Sequence, residues 1–189
     1  MSVFNYLLDR SLAHVKRFNN RLQHNPESDA EHSFYTAHFA HILCVLLKVA
    51  GVKVDLAKVL AMALIHDLEE GQTGDILNPF KHHDEEVTAA IGKVSEQMIG
   101  EMVTELPGKV KEEILGLWHE EQARETIESQ IVKVADSLSL LSKCDEEIQT
   151  GNKAFQEIYV RELNNLKSQD WEWWSKIKAE VLAGAEKEV

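Results

Sequence analysis

Apolar residues recur along this chain at the three- and four-residue steps of an α-helix, and nowhere with the sustained two-residue alternation of a strand. The spacing predicts a first helix over residues 2–17. Residues 21–29 carry Asn25-Pro26 and read as a connection, because the residue ahead of a proline is pushed out of the α region. Ser28-Asp29-Ala30-Glu31 has the form of a capping box, Ser and Glu three apart ahead of an apolar run. It starts a second helix over 29–50, stopped by Gly51. Asp55 caps a third over 56–70, ending at Gly71. Residues 72–83, with Gly74 and Asn78-Pro79 and no clear period, read as an irregular loop. Further helices are predicted over 84–104, 108–122 and 125–149, and a last one over 153–182. That last helix contains Trp171, Trp173 and Trp174, read as core or dimer contacts. The fold expected is all-α, one bundle of six or seven helices within a single domain spanning 1–189.

Composition sharpens this picture in three ways. A chain of 189 residues can bury roughly 70% of the surface its unfolded form exposes, enough for a core without staples. A net charge of −12 argues against binding a nucleic-acid polymer or an anionic membrane, whose phosphates it would repel. Residues 1–25 run the other way, with Arg10, Lys16, Arg17 and Arg21 against Asp9 alone. Cys44 and Cys144 have no framework spacing and read as buried thiols in a reducing compartment. No secretory leader or membrane-spanning run is evident, so the expected location is cytoplasmic.

Candidate chemistry lies in four short elements: Glu31-His32, His66-Asp67, Thr73-Gly74-Asp75 and Ala135-Asp136. His66-Asp67 ends the apolar run 59–65, and Asp136 follows the apolar run 132–135. Charges set into buried faces need partners or a metal. Two histidines and two aspartates from three helices offer a mixed imidazole–carboxylate shell. Such a shell suits one divalent ion, Co²⁺, Mn²⁺, Fe²⁺, Ni²⁺ or Zn²⁺, and leaves positions open for water and substrate. Glu70 lies four residues after His66, on the same face of the predicted helix. On the residues alone it is either a proton shuttle or a solvated helix-end acid like Glu69. His82-His83 lack a matching motif and read as surface histidines.

The order His32, His66-Asp67, Asp136 resembles the signature of the HD superfamily of metal-dependent phosphohydrolases, whose members are helical bundles. Within it the chain is most similar to the bacterial 5′-deoxynucleotidases. Ala30-Glu31-His32-Ser33, His66-Asp67 with Glu70, and Thr73-Gly74-Asp75-Ile76 carry that likeness. So do Pro79 with Lys81, Lys133-Val134-Ala135-Asp136, Lys143-Cys144 with Glu146-Glu147, and Gly151-Asn152. It covers roughly residues 15–155. Guanosine-tetraphosphate hydrolases, a related branch, carry Glu-Asp where this chain has Glu70-Gly71, which disfavours that substrate.

The resemblance implies His32, His66, Asp67 and Asp136 as metal ligands, and Glu70 as the catalytic acid/base with Asp75 needed for turnover. It implies Arg17 on the substrate phosphate, suited to bidentate contact. Phe18, Asp67 and the segment Asp75, Ile76, Leu77, Asn78 would contact the nucleotide. The best-known deoxynucleotidases carry Trp at the position of Phe18, where it screens out ribonucleotides. The expected reaction is hydrolysis of a (deoxy)nucleoside 5′-monophosphate by metal-activated water, in a homodimer. The rival reading is a metal-binding helical interaction or regulatory module without catalysis.

Overall fold

The computed structural model describes residues 2–81 and 83–185, apart from the side chain of Asn78. It is helical throughout, with α1 (Val3–Leu7), α2 (Asp29–Val49), α3 (Leu56–Ile65), α4 (Glu70–Thr73), α5 (Asn78–Lys81), α6 (Glu85–Met102), α7 (Gly108–Ala123), α8 (Ile127–Gln149), α9 (Gln156–Ser168), α10 (Glu172–Ser175) and α11 (Lys178–Val181). Among the described residues six helices reach ten residues or more, and no strand is present. Among the described residues the only extended pairing is an isolated bridge between Lys16 and Ser28.

The long helices start where their caps place them. Ser28 and Glu31 close the capping box, with Ser28 Oγ accepting from Glu31 N and Glu31 Oε2 accepting from Ser28 N at 2.7 Å. Asp55 accepts from Lys58 N, Asp84 from Val87 N, and Thr126 from Ser129 N. Helix α8 is the spine, packed against α2, α3, α7 and α9. Its Ile131, Val132, Val134, Ala135 and Cys144 meet Ala40, Leu43, Cys44 and Leu47 of α2 and Val59, Met62 and Ala63 of α3 in one apolar core. Both cysteines are free and buried, as expected.

Three predicted helices are divided. Helix 2–17 survives only as α1 and a 3₁₀ turn at Ser11–Ala13, because the Asp9 carboxylate accepts from Ser11 N at 2.8 Å and restarts the chain. Helix 56–70 ends at Ile65. From there Leu68 N, Glu70 N and Gly71 N donate to the carbonyls three residues back, so the segment winds as tight 3₁₀-like turns before α4. Helix 153–182 breaks after Ser168. Trp174 Nε1 donates to Leu166 O, and Lys178 Nζ to Lys167 O and Gln169 O, so the chain folds back to satisfy the last carbonyls of α9. Trp173 and Trp174 are thereby buried in the core and offer no dimer surface. The segment predicted as an irregular loop, 72–83, takes in the end of α4 and the single helical turn α5.

At Gly71 the segment bearing Glu70 lies against Ser11 and Leu12 of the N-terminal turn. A Cβ there would overlap Ser11 Oγ and lie 3.3 Å from Ser11 Cβ. Gly71→Ala is therefore expected to cost about 1–3 kcal/mol by overpacking. Thermal unfolding checks this, and Ser11→Ala in the same chain should recover most of the loss.

Candidate metal centre and substrate cavity

Helix α2 begins at a buried cap, so its first turns point His32 into the interior, and His32 is fully buried. The end of α3 delivers His66, and the tight turn after it delivers Asp67. Two and a half turns into α8, Asp136 completes the meeting. His32 Nε2 lies 3.1 Å from Asp136 Oδ1, 3.7 Å from Asp67 Oδ2 and 3.4 Å from His66 Nε2. His66 Nε2 lies 3.1 Å from Asp67 Oδ2. The donor atoms of His32, His66 and Asp67 all fall within 4.8 Å of one another.

The far side of each ring is held. His66 Nδ1–H donates to Ala63 O at 2.9 Å, which turns Nε2 toward the cluster, and His32 Nδ1 lies 3.0 Å from Ser139 Oγ. Two imidazole nitrogens and two carboxylates facing one another need a proton or a cation between them. Burial alone would keep a proton off His66, but Asp67 beside it and Asp136 beyond overcome this and raise it to about 9. His32 moves down, through burial and the nearby Arg17 cation. Against their burial, the histidines hold Asp67 below the ordinary carboxylate range, and Lys133, 2.8 Å from Asp136 Oδ2, does the same for Asp136 together with His32. A divalent ion would answer the same charge, and the nitrogen–oxygen donor set suits one.

Beside this cluster opens a cavity of about 690 Å³, lined among others by Arg17, Phe18, Glu70, Asp75, Ile76 and Leu77. Glu70 is buried, and its Oε2 has no hydrogen-bond partner. Burial and the charges of Asp67, Asp29 and Asp75 push it up to about 10. Arg17 NH1 sits 3.4 Å from Asp67 and 3.6 Å from Asp29, with its Nε 3.8 Å from Glu27. Asp75 Oδ2 accepts the Phe18 N–H at 3.1 Å and Asp75 O accepts from Asn19 Nδ2. These bonds hold Phe18 in a left-handed conformation, φ 52°, with its ring edge-on to Phe155.

The structure thus brings together every side chain singled out from the sequence, save Asn78, whose side chain lies outside the described residues, as does His82. His83 is exposed. Glu70 is neither a solvated acid nor on a shared helix with His66. It starts α4 and stands one 3₁₀ turn from Asp67. Nor is Glu69 exposed: it is buried and accepts from Trp118 Nε1 at 3.0 Å. Sequence reasoning missed Glu27, Asp29 and Glu121, all buried acids. Burial raises Glu27 and Asp29 to about 7, partly offset by Arg17. The capping box gave Asp29 a local explanation and so hid its place beside Arg17.

A helical bundle with this His–His-Asp–Asp meeting defines an HD-type phosphohydrolase, and the comparisons agree. An HD-domain phosphohydrolase from Listeria innocua superposes with a TM-score of 0.83 at 26% identity, covering 98% of this chain and 90% of that one. A cyanophage S-2L HD phosphohydrolase bound to dA and one catalytic Zn²⁺ shares the fold, at a TM-score of 0.66 and 16% identity over 98% of this chain and 97% of that one. Residues 3–178 match the model of the YfbR-like 5′-deoxynucleotidases, and the chain belongs to that family. It is 29% identical over 155 residues to a 5′-deoxynucleotidase of Photorhabdus laumondii subsp. laumondii, covering 80% of this chain and 78% of that one. It is 31% identical over 132 residues to one from Vibrio parahaemolyticus, covering 69% and 68%. The chain is a hydrolase, which removes the rival reading of a non-catalytic module.

Proposed function

We propose that the chain, as one domain, hydrolyses 2′-deoxyribonucleoside 5′-monophosphates to nucleoside and phosphate. His32, His66, Asp67 and Asp136 would hold one divalent metal, whose chemistry when bound is to polarise the phosphate and lower the pKa of water at the site. The observation that carries this reading is the position of Arg17. Its guanidinium reaches Asp67, a proposed ligand, so a phosphate gripped by Arg17 stands beside the cluster. Arg17 offers two parallel donors to phosphoryl oxygens and neutralises charge as the bond to phosphorus breaks. Glu70, whose burial among the charges of Asp67, Asp29 and Asp75 favours the protonated carboxyl, would supply the proton that the departing 5′ oxygen needs. Asp75 supports both by fixing the backbone of the Phe18 loop. Ile76 and Leu77 give the nucleoside an apolar wall, and the same reading has the segment through Asn78 contact the nucleotide. Phosphate release from a panel of nucleotides, with and without Co²⁺ or Mn²⁺, tests this. Release confined to 5′-monophosphates in the presence of metal is the supporting outcome.

The sugar preference follows from Phe18. An aromatic ring against C2′ leaves a ribose hydroxyl without a partner, which costs roughly 1–3 kcal/mol. That is about 5- to 150-fold in kcat/KM. Phe is smaller than the Trp of the best-known relatives, so dAMP should be preferred over AMP at the low end of that range, and Phe18→Trp should widen the gap. Equal kcat/KM for both sugars in both proteins would show that residue 18 does not read the sugar. The same proposal places the protein in the cytoplasm as a homodimer. In support, no helix among the described residues is long and apolar enough to cross a membrane.

A further inference from the structure

Helix α2 carries no charged side chain between Glu31 and Lys48, a stretch of four turns. Its inner face is in the core through Ala40, Leu43, Cys44 and Leu47. Between Glu31 and Lys48 its outer face is apolar apart from His38 and His41, yet uncovered: Phe34 is 62% exposed, Tyr35 45%, Ile42 48%, Val45 46% and, just past Lys48, Val49 84%. Beside it, α3 has Lys58 as its only charge and exposes Ala57 and Leu64. A helix that is apolar all round is one that is buried all round, and a contiguous exposed patch of this kind marks an interface.

We propose that this face of α2, flanked by α3, is covered by the same face of a second copy, the two α2 helices running antiparallel about a two-fold axis. The proposal rests on the reading of the chain as a homodimer and names the surface and register. The arrangement of the stripe selects the occupant. When the helix is reversed about a point between His38 and His41, three exposed pairs exchange places, Glu31 with Lys48, Phe34 with Val45 and His38 with His41, while the exposed Tyr35, Ile42 and Val49 come level with Cys44, Ala37 and Ala30. Reversal sets Glu31 against Lys48 of the other copy, Phe34 against Val45 and His38 against His41. The single acid and single base at the ends therefore pair twice, and only apolar and imidazole groups meet between them. Parallel pairing would instead oppose like charges. The stripe also borders a groove of about 480 Å³ lined by His38, Phe39, Ile42, Leu46, Leu138 and Leu182, a receptacle for an aromatic side chain of the opposing copy.

Sedimentation of the full chain tests the idea. The wild type is expected at twice 21.5 kDa, and Ile42→Glu/Val45→Glu at the mass of one chain, its dissociation constant raised at least about 100-fold by buried carboxylates. Both substituted positions are exposed, so the helical circular dichroism should be kept. As a second measurement, His38→Cys/His41→Cys should form a covalent dimer under mild oxidant. The native thiols stay out of that reaction, because Cys44 and Cys144 are buried and pushed up to about 11 and about 12. A wild type that sediments as one chain overturns the homodimer and this face with it. A double-glutamate variant that stays dimeric, or cysteines that fail to cross-link, overturns this face alone and leaves the homodimer standing.

Discussion

Glu70→Ala should lower kcat by about 10²–10⁴-fold, the usual worth of a positioned proton donor or acceptor, and Glu70→Gln should fall as far despite keeping its shape. The expectation rests on the group's setting. Its carboxyl is buried, its Oε2 makes no hydrogen bond, and Asp67, Asp29 and Asp75 crowd it with negative charge. A buried carboxyl crowded by like charge in a cavity beside the candidate metal cluster is held there at a cost to the fold. Its removal should leave the melting temperature unchanged or raise it, since burial of an unsatisfied polar group ends. Metal content should also hold, because Glu70 is not among the proposed ligands. Loss of metal together with activity would reassign it to the metal shell.

His66→Ala carries the other large effect. It removes an Nε2 that faces Asp67 at 3.1 Å and His32 at 3.4 Å, and His66 is not a member of the apolar core that α3 shares with α2 and α8. Metal affinity should fall by more than the roughly 10–100-fold typical of losing an outer partner of a ligand, and activity with it. Stability gives an independent reading. Metal at about 100 times its dissociation constant stabilises the wild type by about 2.7 kcal/mol. For a chain of this size that is about 5–11 °C in Tm, and the variant should show almost none of it. The pH dependence has a definite sign. Glu27 and Asp29, raised to about 7, bind more protons when folded than when unfolded, so the stability they contribute is full in acid and is lost as pH rises through 7. Metal binding runs oppositely, since the ligands must be free of protons. The gap in Tm between metal-loaded and metal-stripped protein should therefore widen from pH 5 to pH 8. A gap that narrows would contradict the assignment.

Much of this was readable before any coordinate. The capping box at Ser28–Glu31, the apolar runs ahead of His66 and Asp136, and the breaks at Gly51 and Gly151 are local signals, and local physics honours them. What stayed hidden depends on distant residues. A 3₁₀ turn and an α turn differ by half a residue per turn, so the winding from His66 to Gly71 is invisible in an apolar pattern, although it aligns Glu70 with Asp67. The fold-back of the last predicted helix rests on Trp174 and Lys178 reaching the carbonyls that end α9, while the spacing of the tryptophans is itself helical. Glu69 is buried because Trp118, 49 residues on, offers it a donor. Asp29 answers to two demands at once, the first turn of α2 and the charge of Arg17, and only the first leaves a mark on its neighbours in sequence.

The central claim, that one divalent ion held by His32, His66, Asp67 and Asp136 makes this cavity hydrolytic, is tested most directly by titrating metal-stripped protein with Co²⁺ and following phosphate release from dAMP. The account predicts no release from the stripped protein. Activity should then climb in proportion to bound metal and level off at one ion per chain, with no climb in His66→Ala. Full activity in the stripped protein, or a titration in His66→Ala indistinguishable from that of the wild type, would contradict it.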